Sequence, residues 1–143
     1  MYQSYISGEG IVFARHYGHF EGAEGFKAFF SALEANPPVT QLQAVCVDLR
    51  DVTAATLEDS DRANVTFFKR QFARYGQQLD SMLLVRVKNA KSVAINKIFL
   101  ERDARTAGPF LHLGAAVTVY SAPEALEVLG LPADYRIEYP AKN

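Results

Sequence analysis

The run Leu42 to Leu49, LQAVCVDL, limits the fold most, because four consecutive apolar residues, Ala44 to Val47, stand at its centre. A strand with one wet face alternates apolar and polar residues, whereas an unbroken apolar run of strand length belongs in a sheet covered on both faces. Such a sheet needs helices above and below it and crossover connections between its strands.

The rest of the chain supplies both. Tyr2 to Ser7 and Ile11 to Tyr17 are β-rich runs separated by Gly8-Glu9-Gly10, which predicts an N-terminal β-hairpin. Phe26, Phe29, Phe30 and Leu33 recur at helical spacing between Gly22 and Ala35, and Asn36-Pro37-Pro38 stops that helix. After the apolar strand, Thr56-Leu57-Glu58-Asp59 resembles a capping box with Asp in place of Glu. Val65, Phe68, Phe72 and Tyr75 then predict a helix from about Leu57 to Tyr75. Leu79 to Val87 reads as the next strand. Lys91 to Thr106 reads as a helix with Ala94, Ile95, Ile98 and Phe99 on one face, and His112 to Tyr120 as another strand. Ser121-Ala122-Pro123-Glu124 is a capping box with proline in the first turn, opening a short helix that closes at Gly130. The expected fold class is therefore α/β: a mixed, mainly parallel sheet with its first strand antiparallel near an edge. A tail from Leu131 to Asn143 follows, and its Tyr135 to Tyr139 alternates weakly, as an added strand or a partner-facing arm would.

At 143 residues the chain fits one domain, 1–143, with 131–143 as its C-terminal tail. Hydrophobic residues make up 49% and charged residues 22%, a composition that folds unaided. A net charge of -1 provides no general attraction for phosphate backbones, so no nucleic-acid partner is expected. Cys46 is the only cysteine, which excludes an internal disulfide and the paired spacings of zinc sites and suits a reducing cytoplasm. The start, MYQSYISGEG, lacks the pattern of a signal peptide, and no apolar run reaches membrane-spanning length. The expectation is a cytoplasmic protein without an integral membrane segment.

Two stretches carry a family resemblance: VCVDLRDVT at 45–53, an apolar strand ending in Asp-Leu and a Val-Thr turn, and AVTVYSAPEALEVLG at 116–130, a strand, short turn and Glu-Ala-Leu-rich helix. In these the chain resembles the STAS-like superfamily of bacterial anti-sigma-factor antagonists. It is most similar to the small stand-alone members called SpoIIAA-like, and more distantly to the lipid-carrying CRAL-TRIO domains. The resemblance implies a βα superhelix and a non-enzymatic regulatory or protein-interaction module that binds a protein partner or a second copy of itself as a homodimer. Its alternative implication is a carrier or sensor of a small apolar, lipid-like ligand. In the antagonists a phosphorylatable serine opens the helix after this strand. Here Thr56-Leu57-Glu58-Asp59 stands in its place, with Thr56 and Ser60 as the nearest hydroxyls. Glu58 and Asp59 would repel a phosphate, so the segment, read as a possible regulatory turn with Asp51, Thr53, Thr56, Glu58, Asp59 and Ser60, mainly starts a helix.

Catalytic chemistry finds no motif. Asp48 and Asp51 have two residues between them, whereas a phosphatase nucleophile loop needs aspartates one residue apart to reach one magnesium. His16 and His19 lie at a strand end, and with His112 they form no metal set without an acidic or thiolate partner, so no metal or other cofactor is expected. Cys46 reads as an inert core thiol. Lys69, Arg70 and Arg74, with Lys88, Lys91, Lys97, Arg102 and Arg105, form a local basic bias interrupted by Asp80, Glu101 and Asp103. It reads as two solvated helix faces. Phe67 and Phe68 are adjacent and point about 100° apart on a helix. With Phe72 they predict an interface or an apolar pocket beyond an ordinary core stripe.

Overall fold

The computed structural model describes residues 1–22, 24–36, 42–57, 70, 73–74, 82–106 and 115–140, with the side chains of 102–106 left aside. Five strands form one sheet in the order β1 (Tyr2–Ile6), β2 (Ile11–Glu21), β3 (Ala44–Thr56), β4 (Leu83–Val87) and β5 (Ala116–Val119). β1 pairs antiparallel with β2, and every later pair is parallel. The helices are α1 (Glu24–Ala35), α2 (Val93–Thr106) and α3 (Ala122–Val128). This is the mixed, mainly parallel α/β architecture that the alternation of strands and helices predicts. The hairpin turns at Gly10, whose φ of 79° lies where only glycine is relaxed.

The central apolar run explains itself in the register. Val12, Val45 and Leu84 lie side by side across β2, β3 and β4, and so do their chain neighbours Phe13, Cys46 and Val85. Neighbours in a strand face opposite ways. The first row packs on α1 through Phe26, Phe29, Phe30 and Leu33. The second is covered by Ala125 of α3 and by the tail residues Leu131, Tyr135, Ile137 and Tyr139. A third cluster sets Phe99, Ile95 and Ile98 of α2 against Phe20, Leu49, Val52 and Leu57, on the α1 side through the shared Val47.

Several expectations are corrected. β3 does not end at Leu49 but runs to Thr56, because β2 is equally prolonged and pairs with it as far as Glu21↔Thr56. Only Ala44 to Asp48 also pairs with β4, so the second half of β3 has one partner strand among the described residues and carries polar residues. The long pair is accommodated by register shifts between Arg15 and Tyr17 and between Gly18 and His19, with Gly18 at φ 66°. Of the helix expected from about Leu57 to Tyr75, Leu57 itself is non-helical and buried in the third cluster, Arg70, Ala73 and Arg74 are helical, and the rest lies outside the described residues. The tail is not an added strand: residues 131–140 form no ladder and strap the sheet face. There Glu138 N–H donates to the Tyr5 hydroxyl at 3.1 Å and Gln3 Nε2 to the Pro140 carbonyl at 2.8 Å. The Ser121 capping box is present, with Glu124 N–H donating to Oγ at 3.3 Å and the Ser121 hydroxyl to Glu124 Oε1 at 2.9 Å.

Candidate functional site

In open sheets with parallel strands, ligands sit beyond the carboxyl ends of the strands. At the ends of β4 and β5 a groove opens against α2. Lys88 N–H donates to the Val119 carbonyl at 2.9 Å, which carries the ladder one residue past β4. Asn89 then turns the chain: its Oδ1 accepts from Lys91 N–H at 3.0 Å and its carbonyl from Asn96 Nδ2 at 2.8 Å, anchoring the first turn of α2. α2 has two apolar stripes. Ile95, Ile98 and Phe99 face the core, while Val93 and Leu100, seven residues apart, share another face with Asn96 and Lys97. That second face, with Thr118 of β5 and with Tyr120 and Lys88, which directly follow β5 and β4, lines a groove of about 460 Å³. Val93 is 72% exposed, Leu100 65% and Tyr120 52%, an unusual concentration of large apolar surface for one site. Among the described residues its lining includes Lys88 and Lys97 and no carboxylate. Lys97 has Glu101 at 3.9 Å one turn along α2, an exposed pair of little strength.

At the carboxyl ends of β2 and β3 the polar residues are matched to one another. Asp51, one of the expected turn residues, instead lies on the strand and accepts from Arg15 Nε and Nη2 at 3.1 and 2.8 Å. Thr53 is an exposed strand residue. Thr56 Oγ1 lies 2.6 Å from His19 Nε2, and its carbonyl accepts from Gly22 N–H. Glu21 Oε1 is 3.6 Å from His19 Nδ1, too far for a hydrogen bond that would orient the ring as in a nucleophile triad. Glu58, Asp59 and Ser60 lie outside the described residues, as do Phe67, Phe68, Phe72, Lys69 and His112. Of the residues expected on two solvated helix faces, Arg70 and Arg74 are exposed helical residues and Lys91 and Lys97 are exposed, whereas Lys88 is buried.

His16 departs from the expected strand-end histidine. It is fully buried, its Nδ1 is 2.6 Å from Glu24 Oε2, and its Nε2 has no hydrogen-bond partner among the described residues. Phe20 lies against the ring at 4.8 Å between centroids. The Met1 amino group donates to the other Glu24 oxygen at 2.6 Å. Burial alone would raise the Glu24 carboxyl, but the hydrogen bonds from His16 and Met1 outweigh it and hold the group below its ordinary value. Cys46 is buried, and its thiol is pushed up to about 12 by desolvation, as an inert core cysteine should be. Asp48 takes Arg50 Nε on one oxygen and Nη2 on the other, at 3.0 and 2.8 Å. It is tied up by its neighbour and not aimed at a metal with Asp51. Among the described residues no three His, Cys, Asp or Glu side chains converge as a metal site would require.

No motif marks Val93, Leu100 or Tyr120. The signal for two of them lies in α2 itself, which carries apolar residues at 93 and 100 outside its core-facing stripe. No family model matches the chain, and no curated protein does. Among solved structures it is similar to an uncharacterized protein of the DUF3478 family with a SpoIIAA-like fold from Shewanella loihica PV-4. That likeness has a TM-score of 0.48 at 11% sequence identity and covers 90% of this chain and 92% of the other.

Proposed function

We propose that this chain is a non-enzymatic regulatory module of the cytoplasm that works by binding, through the groove between α2 and the ends of β4 and β5. The observation that supports the reading is the joint exposure of Val93, Leu100 and Tyr120 beside Lys88 and Lys97. Apolar surface of this kind gains free energy only when something covers it, at about 25 cal/mol per Å². The exposed Lys97 sets the charge of what fits: an apolar occupant with an acidic group. A protein partner is the first reading, since Val93 and Leu100 are exposed seven residues apart along α2 and a polypeptide can lie along them. A small apolar acid is the second, favoured by a volume within the range of ligand pockets. Anilinonaphthalene sulfonate, an apolar anion whose fluorescence rises out of water, tests the site directly. The protein should bind it, and Leu100→Glu should weaken that binding by at least about tenfold, the effect of one charge placed in a small apolar site. Equal titrations for the two proteins would remove the groove from consideration.

A further inference from the structure

The two faces of the sheet are covered in different ways. On one, α1 packs with Phe29, Phe30 and Leu33 fully buried. On the other, the seven-residue α3 buries Ala125 and Leu126, and it is joined by the segment 131–140, none of whose residues is buried. This segment leaves α3 at a corner, where Gly130 has φ 70° and Leu131 N–H donates back to the Leu126 carbonyl at 2.9 Å. A turn follows, with Tyr135 N–H donating to the Pro132 carbonyl at 3.0 Å. From Arg136 to Pro140 no backbone-to-backbone hydrogen bond among the described residues ties the chain to the sheet. Its polar and ring contacts reach the β1–β2 hairpin through side chains instead. Tyr135 stacks on Phe13 at 6.1 Å between ring centroids and donates its hydroxyl to Glu9 Oε2 at 3.1 Å. Tyr139 meets Tyr5 edge-on at 5.6 Å, Glu138 N–H donates to the Tyr5 hydroxyl, and Gln3 Nε2 donates to the Pro140 carbonyl. We propose that residues 131–140 form a detachable strap, which opens as a unit about the corner at Gly130 while the sheet stays folded, and so conceals or uncovers the sheet face around Phe13 and Cys46.

Local opening is easiest where few apolar groups are fully buried and where backbone hydrogen bonds belong to no ladder. The strap meets both conditions, whereas β3 beneath it is paired on both sides from Ala44 to Asp48. Its two ring anchors are placed to act together. Tyr135 and Tyr139, four residues apart, meet Phe13 and Tyr5, which are themselves stacked at 5.5 Å between centroids. Losing one ring contact therefore loosens the other. Opening takes the cover from a cluster that includes Phe13, Cys46 and Val85. Cys46 reports the event, being the only cysteine and 1% exposed when the strap is closed. A thiol kept from water and reagent does not react, so its labelling measures how often the cover lifts. The groove lies on the opposite face, where the side chain of Thr118 alternates with those of Val117 and Val119, so strap and groove are tested separately.

The test follows labelling of Cys46 in the full chain by dithiobis-nitrobenzoate, an aromatic disulfide. The Cys46 thiolate attacks one of its sulfurs, forms a mixed disulfide and releases one coloured thionitrobenzoate. The labelling free energy of the wild-type protein should fall with urea along a slope below about half that of global unfolding, because only the strap's contacts are exposed. Tyr135→Ala and Tyr139→Ala should each speed labelling without urea at least about tenfold, the effect of losing one packed aromatic ring. Hydrogen exchange gives a reading that stands even if a variant fails to fold: in the wild-type protein the Tyr135 and Glu138 amides should share one protection, weaker than that of the β3 amides. In Tyr139→Ala both should lose protection by the same factor. If Cys46 is labelled only along the full slope of global unfolding, the strap does not detach and the proposal fails. It fails equally if Tyr139→Ala speeds labelling while the Tyr135 amide keeps its protection, since the segment then frays from one end and does not open as a unit. Either failure leaves the groove reading intact, because anilinonaphthalene sulfonate and Leu100→Glu test that on the other face.

Discussion

The carboxyl ends of β2 and β3 and those of β4 and β5 belong to one sheet, yet they treat their side chains in opposite ways. At the first, Arg15 meets Asp51, His19 meets Thr56, and His16 meets Glu24. At the second, Val93, Leu100 and Tyr120 stand in water with two lysines among them. The first end is rich in residues of catalytic type and has used them to hold itself together. The second has no motif and leaves its surface uncovered. Residue type alone is therefore a poor guide in this chain; whether a side chain is packed away or stands exposed is the better one.

The comparison breaks most easily in the packed half. Phe29 is buried under the sheet and meets Phe30 edge-on at 5.0 Å between ring centroids. Phe29→Ala should cost about 3–5 kcal/mol, measured from the denaturant midpoint and slope, because it removes a large ring and leaves a cavity. A loss below about 1 kcal/mol would mean that this half is as loosely covered as the groove.

Glu24 should come next. Glu24→Ala removes the partner of a buried imidazole and should cost about 1–3 kcal/mol, the penalty of an unsatisfied buried group. The sign with pH follows from its lowered carboxyl. Because the folded value lies below the ordinary 4.5, the stabilisation from ionised Glu24 is complete above about that pH and is lost as pH falls through the folded value. The melting-temperature gap between wild type and Glu24→Gln should thus narrow on acidification from neutral pH. A gap that widens instead would show that the pair does not depend on the carboxylate.

A third change probes the frame of the open half. Ser121 follows Tyr120 directly and caps α3, so Ser121→Ala should cost about 0.5–2 kcal/mol while Ser121→Thr retains most of the stability. If the alanine variant melts like wild type, the cap does not hold α3, and the chain leaving β5 is positioned by something else.

How much of this contrast can be read in the sequence depends on whether the signal is local. The apolar run at Ala44–Val47, the Phe26-Phe29-Phe30-Leu33 stripe and the Ser121 capping box are local patterns, and the fold follows them. The length of β3 is not local. Its polar half, Arg50 to Thr56, looks like a turn until β2 is known to extend beside it to Glu21. The same neighbour accounts for Thr56, whose hydroxyl is suited to capping a helix and is used by His19 across the pair. His16 carries no sequence signal of burial, because its partner Glu24 comes from the next element. The groove was half legible: Lys88 and Lys97 stand out as part of a basic bias, but only the placement of Tyr120 beside α2 turns Val93 and Leu100 from spare apolar residues into a surface.

The smallest expected effect on stability sharpens the comparison most. Leu100 is 65% exposed on the groove face of α2, so Leu100→Glu removes little buried area and meets Lys97 three residues earlier on the helix. It should change stability by no more than about 0.5 kcal/mol, the ordinary result for a surface substitution. A core-facing residue of the same helix supplies the control. Phe99, 7% exposed and edge-on to Phe20 at 5.0 Å between ring centroids, should lose about 3–5 kcal/mol on replacement by alanine. Thermal melts of the two variants place the boundary between core and working surface on a single helix. If Leu100→Glu proves nearly as costly as Phe99→Ala, the second apolar stripe of α2 is part of the core, and the groove is closed in solution by the protein itself.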